Sequence, residues 1–388
     1  MRLLSTVAAV AVTAAALPAT TPTAVASALA RHRAAYQGKE CPPLKRGSFN
    51  IDQYQLYPEN ADWDEDSCLV YFGALWNASV AIYDPYADDM VAILNLDNVT
   101  NTGTEHVGGV AWDRFTGLIT ILVDSAAPWS TGGADVSGSN LVLKWNPVTA
   151  STLWTANLTA TTQGRYGAFQ DVETDDRGNT YVVGTFPRSI VRVSADGVVD
   201  PWYAPSIASN ETIDTTVPGL GGLVALPQTG NAKVLLANDA ANGSIYRFDI
   251  STTCDHVPYD KPLTPVAIVP DVLYNDTDAI YAPPRYDGTV LLVSSHASGI
   301  QVLRARDASW TTADYLGTVP IPPAGTSADV VAALKGSFTT AAVQMGNNSV
   351  YMVNEWFTDA FVAGGVAGNR TLFPMPDITA AIDALLAA

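Results

Sequence analysis

The feature that most constrains this chain is a glycine that returns at one point of a repeated hairpin. In "HVGGVAWDRFTGLITILVDSA" (106–126), His106 to Trp112 reads as a strand, "DRFTG" as a turn and Leu118 to Asp124 as the return strand. The turn glycine, Gly117, recurs as Gly178 in "DDRGNTYVVGT", Gly230 in "PQTGNAKVLLAND", Gly288 in "RYDGTVLLVSSH" and Gly346 in "QMGNNSVYMVNE". The intervals are 61, 52, 58 and 58 residues. "DWDEDSCLVYFGALWN" is the same unit without the glycine, which gives six units. A turn–strand–turn–strand period of this length points to a β-propeller.

Most units continue into a second hairpin, as in "SIVRVSADG", "SIYRFDIS" and "GIQVLRARD". The second unit shows four strands, at 106–112, 118–124, 140–146 and 152–157, rich in β-branched and aromatic residues. The expectation is an all-β, six-bladed propeller of four-stranded blades, one domain spanning 47–388. "GSFNIDQYQLY" ahead of the first unit would add a strand to the sixth and close the ring. Helix is minor. "SADVVAALKG" offers an N-cap at Ser327 and a stop at Gly336, and "ITAAIDALLAA" reads as a short C-terminal docking helix.

With 48% hydrophobic and 15% charged residues, the chain can build a large core and is not disordered. A net charge of −18 repels phosphate backbones and anionic lipid, so nucleic acid is excluded as a partner. Arg2 followed by the apolar run Leu3 to Leu17 reads as a signal peptide over 1–26, with cleavage as late as residue 30. No stretch is long enough for a membrane span. The expected address is secreted, or the lumen of the secretory pathway. Eight sequons agree with export: Asn77, Asn98, Asn157, Asn210, Asn242, Asn275, Asn347 and Asn369. Of three cysteines, Cys41 and Cys68 are the favoured pair and Cys254 the free thiol, with the other two pairings open.

In a four-stranded blade the inner strand starts, and the second strand ends, at the same mouth of the central channel. His106 and Asp124 therefore meet there. The same reading of the other units collects Glu59, Asn60, Trp76, Asp171, Asn238, Asp239, Asp278, His296, Asn354 and Glu355. The long connection 125–139, with Trp129, emerges at that mouth, and Phe186 and Trp356 stand beside strand ends. The bland alternative is a wet channel lined by polar residues. Hydrolase, zinc, P-loop and dinucleotide motifs are absent. No metal or other cofactor is assigned; the one candidate set is Glu59, Asn238 and Asp239, oxygen ligands suited to Ca²⁺.

"GSFNIDQYQLYPENADWD", "CLVYFGALWNASVAIYDPY" and "HVGGVAWD" resemble the fungal protein family of trichothecene toxin gene clusters, which includes a secreted skin-yeast allergen. The resemblance covers the mature chain and is strongest over 47–113. It implies a six-bladed propeller and a role in trichothecene (mycotoxin) biosynthesis, a branch of secondary metabolism, or in virulence. Likeness to calcium-dependent lactonase propellers is one of fold only.

Two functions follow. One is a dehydrative cyclase that closes an oxygen heterocycle on a hydroxylated terpenoid. It needs an acid for the departing hydroxyl, from Glu59, Asp171, Asp278 or Glu355, and an acceptor for the attacking hydroxyl's proton, from His106 or His296. Trp76, Trp129, Phe186 and Trp356 would wall out water, and Asn60, Asp124, Asn238, Asp239 and Asn354 would bind substrate. The other is a non-catalytic propeller that binds a terpenoid, a lipid or a host protein. A monomer is favoured for either.

Overall fold

The computed structural model describes residues 21–36, 39–208, 212–227, 231–252, 257–272 and 274–388. The hairpin repeat forms as the turn chemistry dictates. Gly117, Gly178, Gly288 and Gly346 have φ of 67°, 79°, 69° and 61°, values that favour glycine. In the first unit Cys68 takes that place with φ 55°, after Asp64, whose Oδ1 accepts from the N–H groups of Asp66 and Ser67 at 2.9 and 3.2 Å. A disulfide joins Cys68 to Cys41, with Cα atoms 5.6 Å apart. Cys254 and Gly230 lie outside the described residues.

Five blades surround a channel. The first is Pro58–Asp64, Leu69–Ala74, Ser79–Asp84 and Asp89–Asn95. The second is Glu105–Asp113, Leu118–Ser125, Leu141–Asn146 and Ser151–Asn157. The third begins with Gly167–Thr174, the fourth with Leu220–Leu226 and the fifth with Thr277–Tyr281; the fifth carries an extra parallel edge strand, Ala267–Val269.

The spacing predicts six blades, and the structure corrects this to five. The remaining sector holds two separate two-stranded sheets, Phe338–Met345 with Ser349–Glu355, and Phe49–Asp52 with Leu372–Met375. A bridge between Tyr351 and Asp377, flanked by bonds from Met352 N to Pro376 O and from Ile378 N to Val350 O, is what connects them. Pro374 and Pro376 stand where that ladder would run, and neither has an N–H to give it. The strand Phe338–Met345 nevertheless packs between the fifth blade and the first, and the ring is closed.

Apolar faces of neighbouring sheets bury one another. Tyr71, Val80, Ile82, Val110, Ile119 and Ile121 form one such cluster between the first two blades. A helix, Pro22–Tyr36, lies on its edge and adds Val25 and Leu29, which are 2% and 0% exposed. This helix spans both cleavage points read from the sequence; residues 1–20 of the leader lie outside the described residues. Short helices form at Ala328–Ala333, with Ser327 at its N-cap, and at Thr379–Ala387, which docks through Ile382. Among the described residues, no helix is long and apolar enough to cross a membrane.

Candidate functional site

Strand pairing places the site. His106 and Asp124 are cross-strand partners at the start of one strand and the end of the next. At the equivalent point each inner strand loses register with its partner: between Pro58 and Asn60, Val107 and Val110, Phe169 and Asp171, Leu220 and Leu223, Thr277 and Ile280, and Thr339 and Ala341. Each shift leaves extra residues outside the ladder, and bulges of this kind re-aim side chains. Glu59, Gly108, Gly109, Gln170, Asp278, Ala279 and Thr340 are the residues so released. In the fourth blade the extra residues are Gly221 and Gly222. A Cβ on Gly222 would lie 2.6 Å from Ala279 Cα, so a glycine is required there.

A cavity of about 610 Å³ opens at this mouth. Leu75, Trp76, Trp129, Phe169, Phe357 and Phe361 form its walls. Glu59, His106, Asp124, Gln170, Asp278 and His296 supply its polar groups. Beneath it the channel narrows to a space of about 50 Å³ lined by Asn60, Asp62, Asp171 and Glu173 among others.

Burial governs the protonation of these groups. His106 is 7% exposed, and burial pushes its imidazole down to about 4, against a small opposing pull from Glu105. It stands 4.0 Å from Asp124, but at neutral pH it is uncharged, so this is not an ion pair. Burial raises Asp124 to about 7 although Trp129 donates to its Oδ2 at 2.5 Å. Burial, and then the charges of Asp278, Glu355, Asp124 and Asp171, hold Glu59 well above the ordinary carboxylate range. Glu59 Oε2 is buried with no hydrogen-bond partner among the described residues. Burial raises Glu355 to about 8, opposed by the Trp76 indole, which donates to Oε1 at 2.8 Å. Asp171 reaches about 7, again through burial.

His296 behaves in the opposite way to His106. Burial pushes it down, but its hydrogen bond to Asp278, 2.7 Å, and the charges of Asp278 and Asp276 outweigh this and carry it to about 9. Gln170 donates to the other Asp278 oxygen. The cavity therefore holds a neutral imidazole in the second blade and an imidazolium–carboxylate pair in the fifth. An aromatic arc links them: His106 to Trp76 at 5.1 Å, Trp76 to Phe357 at 6.5 Å and Phe357 to His296 at 5.5 Å between ring centroids.

Several residues named from the sequence lie elsewhere. Trp356 is 1% exposed; it packs on Phe373 and donates to Lys335 O, so it belongs to the core. Its neighbour Phe357 turns to the cavity instead. Phe186 stands behind Trp129, at 5.8 Å. Asn354 is buried and accepts from Thr339. Asn60 donates to Asp171 at 2.7 Å, and both face the narrow channel. Glu355 lies under Trp76 rather than on the cavity surface. His296 does line the cavity, with Asp278 and Asp276 raising its proton affinity. The sequence reading missed Phe357 and Phe361, which sit on an irregular connection with no strand pattern to place them.

Two members of the Ca²⁺ candidate set have partners within the protein. Asn238 gives its oxygen to Gly222 N–H at 2.6 Å and its nitrogen to Thr277 and the Asp278 carbonyl. Asp239 sits in a turn 3.6 Å from Arg188. Among the described residues no three of His, Cys, Asp and Glu converge as metal ligands. Of the sequons, Asn98, Asn157, Asn242, Asn275, Asn347 and Asn369 are exposed. Asn77 is half-buried and donates to Gln55 O, and Asn210 lies outside the described residues.

No family model matches the chain. Trichothecene biosynthesis protein 14 of Trichoderma arundinaceum is 30% identical over 365 residues, covering 89% of this chain and 92% of that protein. Core trichothecene cluster protein 14 of Fusarium sporotrichioides is 26% identical over 366 residues, covering 89% and 88%. Among solved structures, the Malassezia sympodialis allergen Mala s 1 superposes with a TM-score of 0.66 at 19% identity, over 86% of this chain and 96% of that one. A luciferin-regenerating enzyme gives 0.51 at 13% identity, over 85% and 95%. Both structural likenesses concern the fold alone.

Proposed function

The chain belongs to the trichothecene biosynthesis protein 14 family, and from that premise we propose that its cavity catalyses the dehydrative closure of an oxygen heterocycle on a hydroxylated sesquiterpenoid. A role in trichothecene biosynthesis comes with the family; the cyclase chemistry is our reading of the site. The observation that carries it is two groups in one cavity with mostly apolar walls: His106, whose imidazole burial pushes down to about 4, and Glu59, whose carboxyl burial and neighbouring carboxyl groups hold well above its ordinary range.

His106 accepts the proton of the attacking hydroxyl as its oxygen forms the new C–O bond. Glu59 protonates the departing hydroxyl, whose C–O bond breaks and which leaves as water. Atoms balance with the loss of one water and no change of oxidation state. A proton then returns from His106 to Glu59 to restore both groups. The His296–Asp278 pair and Gln170 orient the polar end of the substrate, and Trp76, Trp129, Phe357 and Phe361 cover its hydrocarbon and limit water. Asp171 and Glu355 raise the proton affinity of Glu59 without touching the substrate.

The experiment is to incubate purified protein with a trichotriol-type precursor beside a boiled control and to follow loss of one water by mass spectrometry. Conversion that needs His106 supports the cyclase. Saturable binding without conversion replaces it with a non-catalytic terpenoid carrier. We further propose export through the secretory pathway, with N-glycans on the exposed asparagines; intact mass before and after glycosidase treatment tests that.

A further inference from the structure

Asp124 Oδ2, the oxygen that faces His106 Nδ1 across 4.0 Å, receives the Trp129 indole N–H at 2.5 Å. Asp124 Oδ1 is buried and has no partner among the described residues. The carboxylate is thus aimed at Trp129, although its cross-strand partner is His106. We propose that Trp129 is a positioning residue that holds the Asp124 carboxylate away from His106, and that freeing the carboxylate lets the aspartate and the histidine pair.

Trp129 sits on a five-residue helix, Ala127–Thr131, that ends in two left-handed glycines, Gly132 at φ 58° and Gly133 at φ 79°. Trp129 is 36% exposed at the cavity wall, its ring backed by Phe186. A molecule filling the cavity would press on this indole, so the contact that aims Asp124 is the one an occupant would disturb. The groups around His106 are few. Glu105 precedes it on its own strand, with its carboxylate taken by Thr102 and Thr104. Trp76 packs edge-on from the first blade. Glu59 lines the same cavity with its proton affinity raised by burial, and Asp278 on the fifth blade is bound by His296. Asp124 is therefore the carboxyl able to move closest to the imidazole.

The functional consequence rests on the reading of His106 as proton acceptor, since an aspartate partner would make it a stronger base. The test does not. The titration of His106 in the full chain, followed by NMR and assigned with His106→Asn, reports the pair whether or not the protein turns anything over. Trp129→Phe keeps the ring and deletes the donor; pairing should then move onto the imidazole the proton that Asp124 otherwise holds below about pH 7, so the His106 midpoint should rise by about one unit or more, the scale of a newly paired opposite charge. Adding Asp124→Asn should abolish that rise. Asp124→Asn alone should leave the midpoint near its wild-type value, because the wild-type pair is unmade. An unmoved midpoint in Trp129→Phe overturns the proposal. So does a rise that survives in the double variant, or a fall of a unit or more in Asp124→Asn alone. Failure of precursor conversion with these shifts intact would overturn the cyclase reading and leave this one standing.

Discussion

Trp76 donates its indole N–H to Glu355 at 2.8 Å and so ties the first blade to the last hairpin across 279 residues of sequence. The same ring meets His106 edge-on and Phe361 at 5.1 Å. One indole thus fixes a buried acid, the proposed base and the rim. Trp76→Phe would keep the ring and orphan a carboxyl whose other oxygen already has no partner. The expected loss is about 1–3 kcal/mol, the usual scale for a buried polar group left unpaired, read by denaturant unfolding. A variant as stable as wild type would show that water replaces the indole.

For the base, His106→Ala should lower turnover of the precursor by about 10²-fold or more. His106→Asn keeps hydrogen bonding but takes up no proton, so it should be nearly as slow. Neither should shift the melting temperature much, because a residue at the mouth leaves no large core cavity. A large fall in melting temperature, with normal specific activity in the folded fraction, would make His106 structural.

Stability should fall as pH rises above about 6.5. Glu355 and Glu173 titrate near 8 and Asp124 and Asp171 near 7 in the folded chain, against about 4 when unfolded. Between those values the folded state holds protons that the unfolded state has lost, so each group destabilises with rising pH. His296, at about 9 when folded and about 6.5 unfolded, acts in the same direction above pH 6.5. His106 acts oppositely, but only between its folded value of about 4 and about 6.5. A melting temperature that is flat or rising from pH 6.5 to 9 would contradict this. Glu355→Gln, which still accepts from Trp76, should flatten the slope.

Adjacent aromatics should separate in one experiment. Trp356→Ala empties a core site and should cost about 3–5 kcal/mol. Phe357→Ala removes a half-buried cavity wall and should weaken precursor binding while leaving most stability intact. Equal destabilisation by both would return Phe357 to the core.

The hairpin period was legible because a left-handed turn admits few residues, and glycine marks four of the described turns. It also placed His106 opposite Asp124, since register follows from counting back from such a turn. The blade count was less legible: the last hairpin carries its glycine at Gly346, but Pro374 and Pro376 break the ladder beyond it. Side-chain aim was not legible. Trp356 and Phe357 are neighbours, and an irregular connection decides which faces the cavity. Nor does any local pattern announce the bulges that release Glu59, Gln170 and Asp278; they arise where six strands crowd one axis.

The pairing of Phe49–Asp52 with Leu372–Met375 has a consequence for how the site comes into being. The strand nearest the start of the propeller waits for one near its end, so closure is among the most non-local events in folding and its entropy must be met late. Glu59 and Glu355 come into one low-dielectric space only when the Phe338–Met345 hairpin docks beside the first blade. The proton affinity on which the proposed chemistry rests is thus written into no single blade; it is acquired when the circle shuts.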